Sequence, residues 1–100
     1  MRRTPITPTM RRVLAEMADG AAYSKRMITQ GPARDVDFNR TRYVVLENTI
    51  ANCLFVALRW DMNDARKHSE ELVSQRVQAQ DMLYAATKSV TTLEQPNHGL

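Results

Sequence analysis

Residues 62–93 read MNDARKHSEELVSQRVQAQDMLYAATKSVTTL, and steps of three and four along them connect Met62, Ala65, Ser69, Leu72, Arg76, Ala79, Leu83, Ala86, Val90 and Leu93. Eight of those ten positions are apolar, which is the spacing of one helix face rather than the alternation of a strand. From Ala33 to Gln95 there is neither glycine nor proline, and a run free of both breakers favours long helices. A helix with one apolar stripe must lay it against a neighbour in the same chain, a second copy or another protein. The stripe here carries small residues at Ala65, Ala79 and Ala86, which permit close approach, and Leu72, Leu83, Val90 and Leu93, which supply burial. Arg76 interrupts it, as a polar residue does where it fixes register or oligomeric state at some cost in stability.

One helix over the whole breaker-free run would be ~95 Å long, so a turn is expected within it. The polar cluster Asp61-Met-Asn-Asp64 is the natural place, with Asp61 or Asn63 capping the helix that follows. Before that turn, Arg40 to Trp60 is the hydrophobic centre of the chain. Tyr43, Leu46, Ile50, Cys53, Ala57 and Trp60 form one seam, widened by Val45, Leu54, Phe55 and Leu58. A pair of strands, Arg42–Glu47 and Cys53–Arg59, is the competing reading because Val44, Val45, Phe55 and Val56 favour sheet. The turn between such strands would have to form at Asn48–Asn52 without a glycine, which favours the helix.

Further toward the N-terminus, Thr7 can cap a helix with Pro8 at its first position. Met10, Val13, Leu14, Met17 and Ala18 then follow a helical stripe, and Gly20 is placed as a stop. A second short helix is expected over Ala21–Gln30, carrying Tyr23, Met27 and Ile28 inward, before Gly31-Pro32. Residues 33–39 read as a loop in which Asp37 or Asn39 caps the next helix.

The 100 residues fit one domain, with 43% hydrophobic and 25% charged residues, an ordinary globular composition. A chain this short has a thin core, and elongated helices thin it further. The lone cysteine, Cys53, allows no internal disulfide and fits a small buried residue in a reducing compartment. No segment is long and apolar enough to span a membrane, and the N-terminus lacks the apolar core of a secretory signal. Net charge is +3. Residues 1–42 carry nine Arg or Lys against four Asp or Glu, while residues 43–100 carry five against seven, so an anionic partner would meet the front of the molecule.

Constellations that carry chemistry are sparse. Asp61-x-Asn63-Asp64 opens like a calcium loop, but Ala65, Arg66 and Leu72 stand where that loop needs an oxygen ligand, glycine and glutamate. Cys53, His68 and His98 are scattered rather than spaced to hold zinc. The isolated glycines at 20, 31 and 99 form no phosphate loop. Arg66–Glu70 and Lys67–Glu71 are ordinary helix-surface pairs. The spacing around Gly20 superficially resembles a helix-turn-helix, yet Asp19 falls where that motif needs a buried residue and no recognition helix follows before Gly31-Pro32.

The sequence therefore predicts an all-α protein: two short N-terminal helices packed on a long antiparallel helical hairpin. Residues 1–8 form a flexible basic arm, 9–95 a single domain and 96–100 a disordered tail. The predicted function is that of a non-enzymatic, self-associating protein-interaction module, an adaptor, assembly factor or inhibitor of a larger machine, in the cytoplasm. It requires no cofactor, metal, membrane or small-molecule substrate. Its predicted interface is Leu72, Ala79, Leu83, Ala86, Val90 and Leu93, and its partner another protein or a second copy. The alternative is a small nucleic-acid-binding regulator that uses Arg2, Arg3, Arg11, Arg12, Lys25 and Arg26 against phosphates.

Overall fold

The computed structural model describes the backbone of residues 3–94 and the side chains of residues 3–88. Three helices pack together: α1 (Pro8–Gln30), α2 (Val36–Asn52) and α3 (Met62–Glu94). A short 3-10 turn, Ala33–Asp35, leads into α2, and a π-helical turn, Cys53–Ala57, continues it. There is no strand among the described residues, so the sheet alternative for residues 42–59 falls away. The tail expected over 96–100 lies outside the described residues.

The start of α1 follows the local chemistry of its sequence. Thr7 Oγ1 accepts the Met10 N–H at 3.1 Å, and Pro8 takes the first helical position. The expected break at Gly20 is absent: α1 is one continuous helix where two short ones were predicted. Gly20 lies within the helix, at a point where α2 crosses it closely. A Cβ built there would stand 3.1 Å from Leu46 Cδ1 and 3.3 Å from Arg42 Nη2. The glycine costs about 1 kcal/mol of helix propensity against alanine, and what it provides is room for the neighbouring helix. Continuity also changes which side chains face inward. The buried set is Leu14, Ala18, Ala21, Ala22 and Ser24, whereas Tyr23 is half exposed and Met27 and Ile28 are only partly covered. The helix ends at Gly31, whose N–H reaches the Met27 carbonyl at 3.0 Å.

Neither Asp37 nor Asn39 caps α2. The 3-10 turn runs straight into the helix, so the first free N–H groups find backbone acceptors: Asp35 N–H donates to Pro32 O and Val36 N–H to Ala33 O. Asn39 Nδ2 instead donates back to the Asp35 carbonyl at 2.9 Å. At the start of α3 the expected cap is present, with Asp61 Oδ2 accepting from the N–H groups of Asn63 (3.0 Å) and Asp64 (3.3 Å).

The helices meet around Leu14, Ala18, Ala21, Ile50, Ala51, Leu54, Leu58, Ala65 and Val73. Contacts along the bundle give its sense. Thr4 N–H donates to Leu58 O at one end and Arg42 Nη1 to Ser24 Oγ nearer the other, so α1 and α2 run oppositely. Ion pairs Arg3–Asp64, Asp19–Arg76 and Arg26–Asp81 rise together along α1 and α3, so these two run in the same sense. Ser69 is wholly buried and its Oγ donates to Glu47 O at 2.7 Å, joining α3 to α2. Counting equally along both helices from that bond brings Val36, where α2 begins, level with Gln80. The 33 residues of α3 measure ~50 Å, and its last 14 residues extend beyond that level.

Candidate functional site

Up to Gln80, α3 is tied to the bundle. Leu72 packs half-buried against the core. Arg76 Nε donates to Asp19 Oδ1 at 2.5 Å and its Nη2 to Asp19 Oδ2 at 3.1 Å. This hydrogen bonding raises the arginine's pKa further above its ordinary range, against the lowering effect of burial. The interruption of the stripe at Arg76 is thus a fastening of α3 to α1. One turn on, Gln80 Nε2 donates to the Asp19 carbonyl at 3.0 Å while its buried Oε1 has no hydrogen-bond partner. Asp81 then accepts from Arg26 Nη2 at 2.6 Å.

Beyond this point every side chain from Asp81 to Lys88 is exposed. Met82 is 74% accessible, Leu83 68% and Tyr84 64%. The backbone nevertheless remains helical to Glu94, as expected of a segment rich in strong helix formers such as Met82, Leu83, Ala85, Ala86 and Lys88. The predicted interface residues therefore divide. Leu72 belongs to the bundle, Ala79, Leu83 and Ala86 lie uncovered on α3, and the side chains of Val90 and Leu93 are outside the described residues. Met82 and Tyr84 join the exposed surface. A single stripe of threes and fours leaves them out, because they flank Leu83 rather than follow it.

The opposite end of the bundle carries a second apolar surface that the sequence reading placed in the core. Phe55 and Val56 are exposed and line, with Arg59 and Trp60, an open groove of about 450 Å³. Leu54 and Leu58, four residues apart, face inward, and Phe55 and Val56 between them face out. Arg59 follows in the left-handed region at φ 60°, a strained conformation for a residue with a side chain. Cys53, expected buried, is only partly covered, and Ala57 of the predicted seam is exposed. Beside the groove, the Arg3 guanidinium lies 3.9 Å from the Trp60 ring centroid and bonds Asp64 at 2.7 Å, while His68 packs tilted on the same indole at 4.9 Å. Residues 3–7, within the arm predicted over 1–8, thus carry contacts to the bundle, with Ile6 packed against its core.

The six cations of the alternative reading do not converge. Arg2 is outside the described residues. Arg3 and Arg26 are engaged with Asp64 and Asp81, the latter pair at the far end of α1. Lys25 Nζ stands 5.6 Å from the Tyr43 ring centroid, and only Arg11 and Arg12 sit side by side and exposed. Tyr43 itself donates to Glu47 Oε2 at 2.6 Å, and burial together with this carboxylate pushes its pKa up to about 12. Among the described residues no three potential metal ligands come together, and no helix is long and apolar enough to cross a membrane.

Neither family models, curated proteins nor solved structures show a match to this chain. The surface on α3 is accordingly read from its own chemistry.

Proposed function

We propose that this protein is a non-catalytic interaction module that binds other protein chains through the projecting part of α3. The observation that carries this reading is the exposure of Met82, Leu83 and Tyr84 on a helix that continues to Glu94, past the level at which α2 begins. A helix of about a dozen residues is marginal in water on its own. Apolar side chains along it gain stability when a second surface covers them. The bundle then acts as a base that fixes the direction of the projection, through Asp19, Arg76, Gln80 and the Arg26–Asp81 pair. Such a module suits an adaptor, an assembly factor or an inhibitor of a larger assembly, and its lone cysteine suits the cytoplasm.

Leu83→Asp tests the reading. Leu83 is outside the core, so the variant should keep the wild-type circular dichroism and unfolding midpoint, a surface change being worth no more than about 0.5 kcal/mol. In a partner it would bury an unpaired charge, which is strongly unfavourable. Light scattering and cross-linking should therefore show assemblies formed by the wild type and lost in the variant. Identical assemblies in both proteins would refute the proposal.

A further inference from the structure

We propose that residues 3–7 are a strap, closed over the link between α2 and α3 by a salt-sensitive latch at Arg3, whose opening uncovers Trp60. The strap is anchored at one end, where Thr7 caps α1. Its other contacts converge on the link. Arg3 Nη2 donates to Asp64 Oδ2 at 2.7 Å, and the guanidinium carbon lies over the Trp60 ring at 3.9 Å. Thr4 N–H donates to the Leu58 carbonyl at 2.8 Å, and Ile6 packs against the core.

The geometry of the link explains why the strap lands there. Trp60 N–H reaches back to the Leu54 carbonyl at 3.0 Å, with Arg59 left-handed between them, a common way for a helix to close. Carbonyls of a last helical turn lack partners within the helix. Leu58 lies at that end, and Thr4 supplies its carbonyl with a donor from the strap. Each contact is modest. The Arg3–Asp64 pair is about half exposed, a kind of pair that adds little, and neither a cation over an exposed ring nor one hydrogen bond adds much more. Against them stands the entropy of ordering the chain from Arg3 to Ile6. The closed and open straps are therefore close in free energy, and Arg3, which makes two of the contacts, tips the balance. Trp60 itself packs against the core and tilts on His68, so it stays in place when the strap leaves. Its freed face then enlarges the apolar groove that it shares with Phe55 and Val56.

The test follows the strap at two points. Exchange of the Thr4 amide, measured by NMR, reports opening, and acrylamide, an uncharged quencher, reports the cover over Trp60, the one tryptophan of the chain. Screening of exposed charges shortens from ~10 Å at ~0.1 M salt to ~3 Å at ~1 M. Across that range Thr4 exchange should quicken ~2–5-fold, the worth of an exposed ion pair, and quenching of Trp60 should rise. Arg3→Gln, which loses the ring contact as well, should quicken exchange ~3–30-fold at the lower salt, with far-ultraviolet circular dichroism unchanged. Thr4 exchange indifferent to both salt and Arg3→Gln overturns the latch. Faster exchange with unchanged quenching overturns the uncovering of Trp60. Loss of helix in Arg3→Gln overturns the strap as a separable device, because the segment would then be part of what holds the bundle together.

Discussion

Single residues here act mainly by permitting or refusing close approach. Gly20 looks in sequence like a stop, and its role emerges only once α2 lies across it, with Leu46 Cδ1 3.1 Å from where a Cβ would be. Gly20→Leu gains helix propensity but overpacks the crossing, so it should destabilise the fold by ~1–3 kcal/mol, read as a lower urea midpoint. Tyr43 offers a test by pH. Its phenol keeps its proton to about 12, against the ordinary 10.0, first through burial and then through the bond to Glu47. The unfolded chain would lose that proton earlier, so this contribution to stability is complete below pH 10 and declines as pH rises toward about 12. Tyr43→Phe should remove this part of the alkaline decline, seen by comparing unfolding midpoints of the two proteins across that range.

Among the elements, α3 divides into a part fastened to the bundle, ending with the Arg26–Asp81 pair, and a part whose side chains are exposed as far as Lys88. Native-state hydrogen exchange should therefore show strong protection around Ser69 and Val73 and a steep fall beyond Asp81 in dilute protein, since local opening is easy where tertiary contacts end. Equal protection before and after Asp81 in dilute protein would contradict the division. How much of this was legible follows from the same elements. The cap at Thr7-Pro8, the start of α3 at Asp61 and the helical character of the stripe are local properties, written in neighbouring residues. The fusion of two expected helices into α1 was not, because it depends on α2 packing over Gly20, far away in sequence. The outward turn of Phe55 and Val56 was equally hidden. An apolar run reads as core, although Leu54 and Leu58 are the residues of the run from Cys53 to Leu58 that are buried. For the predicted interface, the stripe identified the helix face but not the level at which burial ends.

At the scale of the whole molecule, the uneven charge of the chain is folded partly against itself. Basic residues of the front, Arg3 and Arg26, meet Asp64 and Asp81 of α3, and Asp19 of the front meets Arg76. These surface pairs contribute little stability singly, about 0.2–1 kcal/mol each, but they leave fewer cations on the front free to meet an anionic polymer than the sequence alone suggested. The exposed stretch of α3 from Asp81 to Lys88 also makes the molecule unevenly vulnerable to proteases. Cleavage requires a chain segment that can leave its helix and thread through an enzyme's cleft, which the bundle resists and the projection does not. Chymotrypsin should therefore cut dilute protein first after Leu83 or Tyr84, and trypsin after Lys88, leaving a trimmed core that still folds. A chain bound over that stretch should shield the same bonds, and the amount of it needed to slow the digestion would measure the strength of binding without any label.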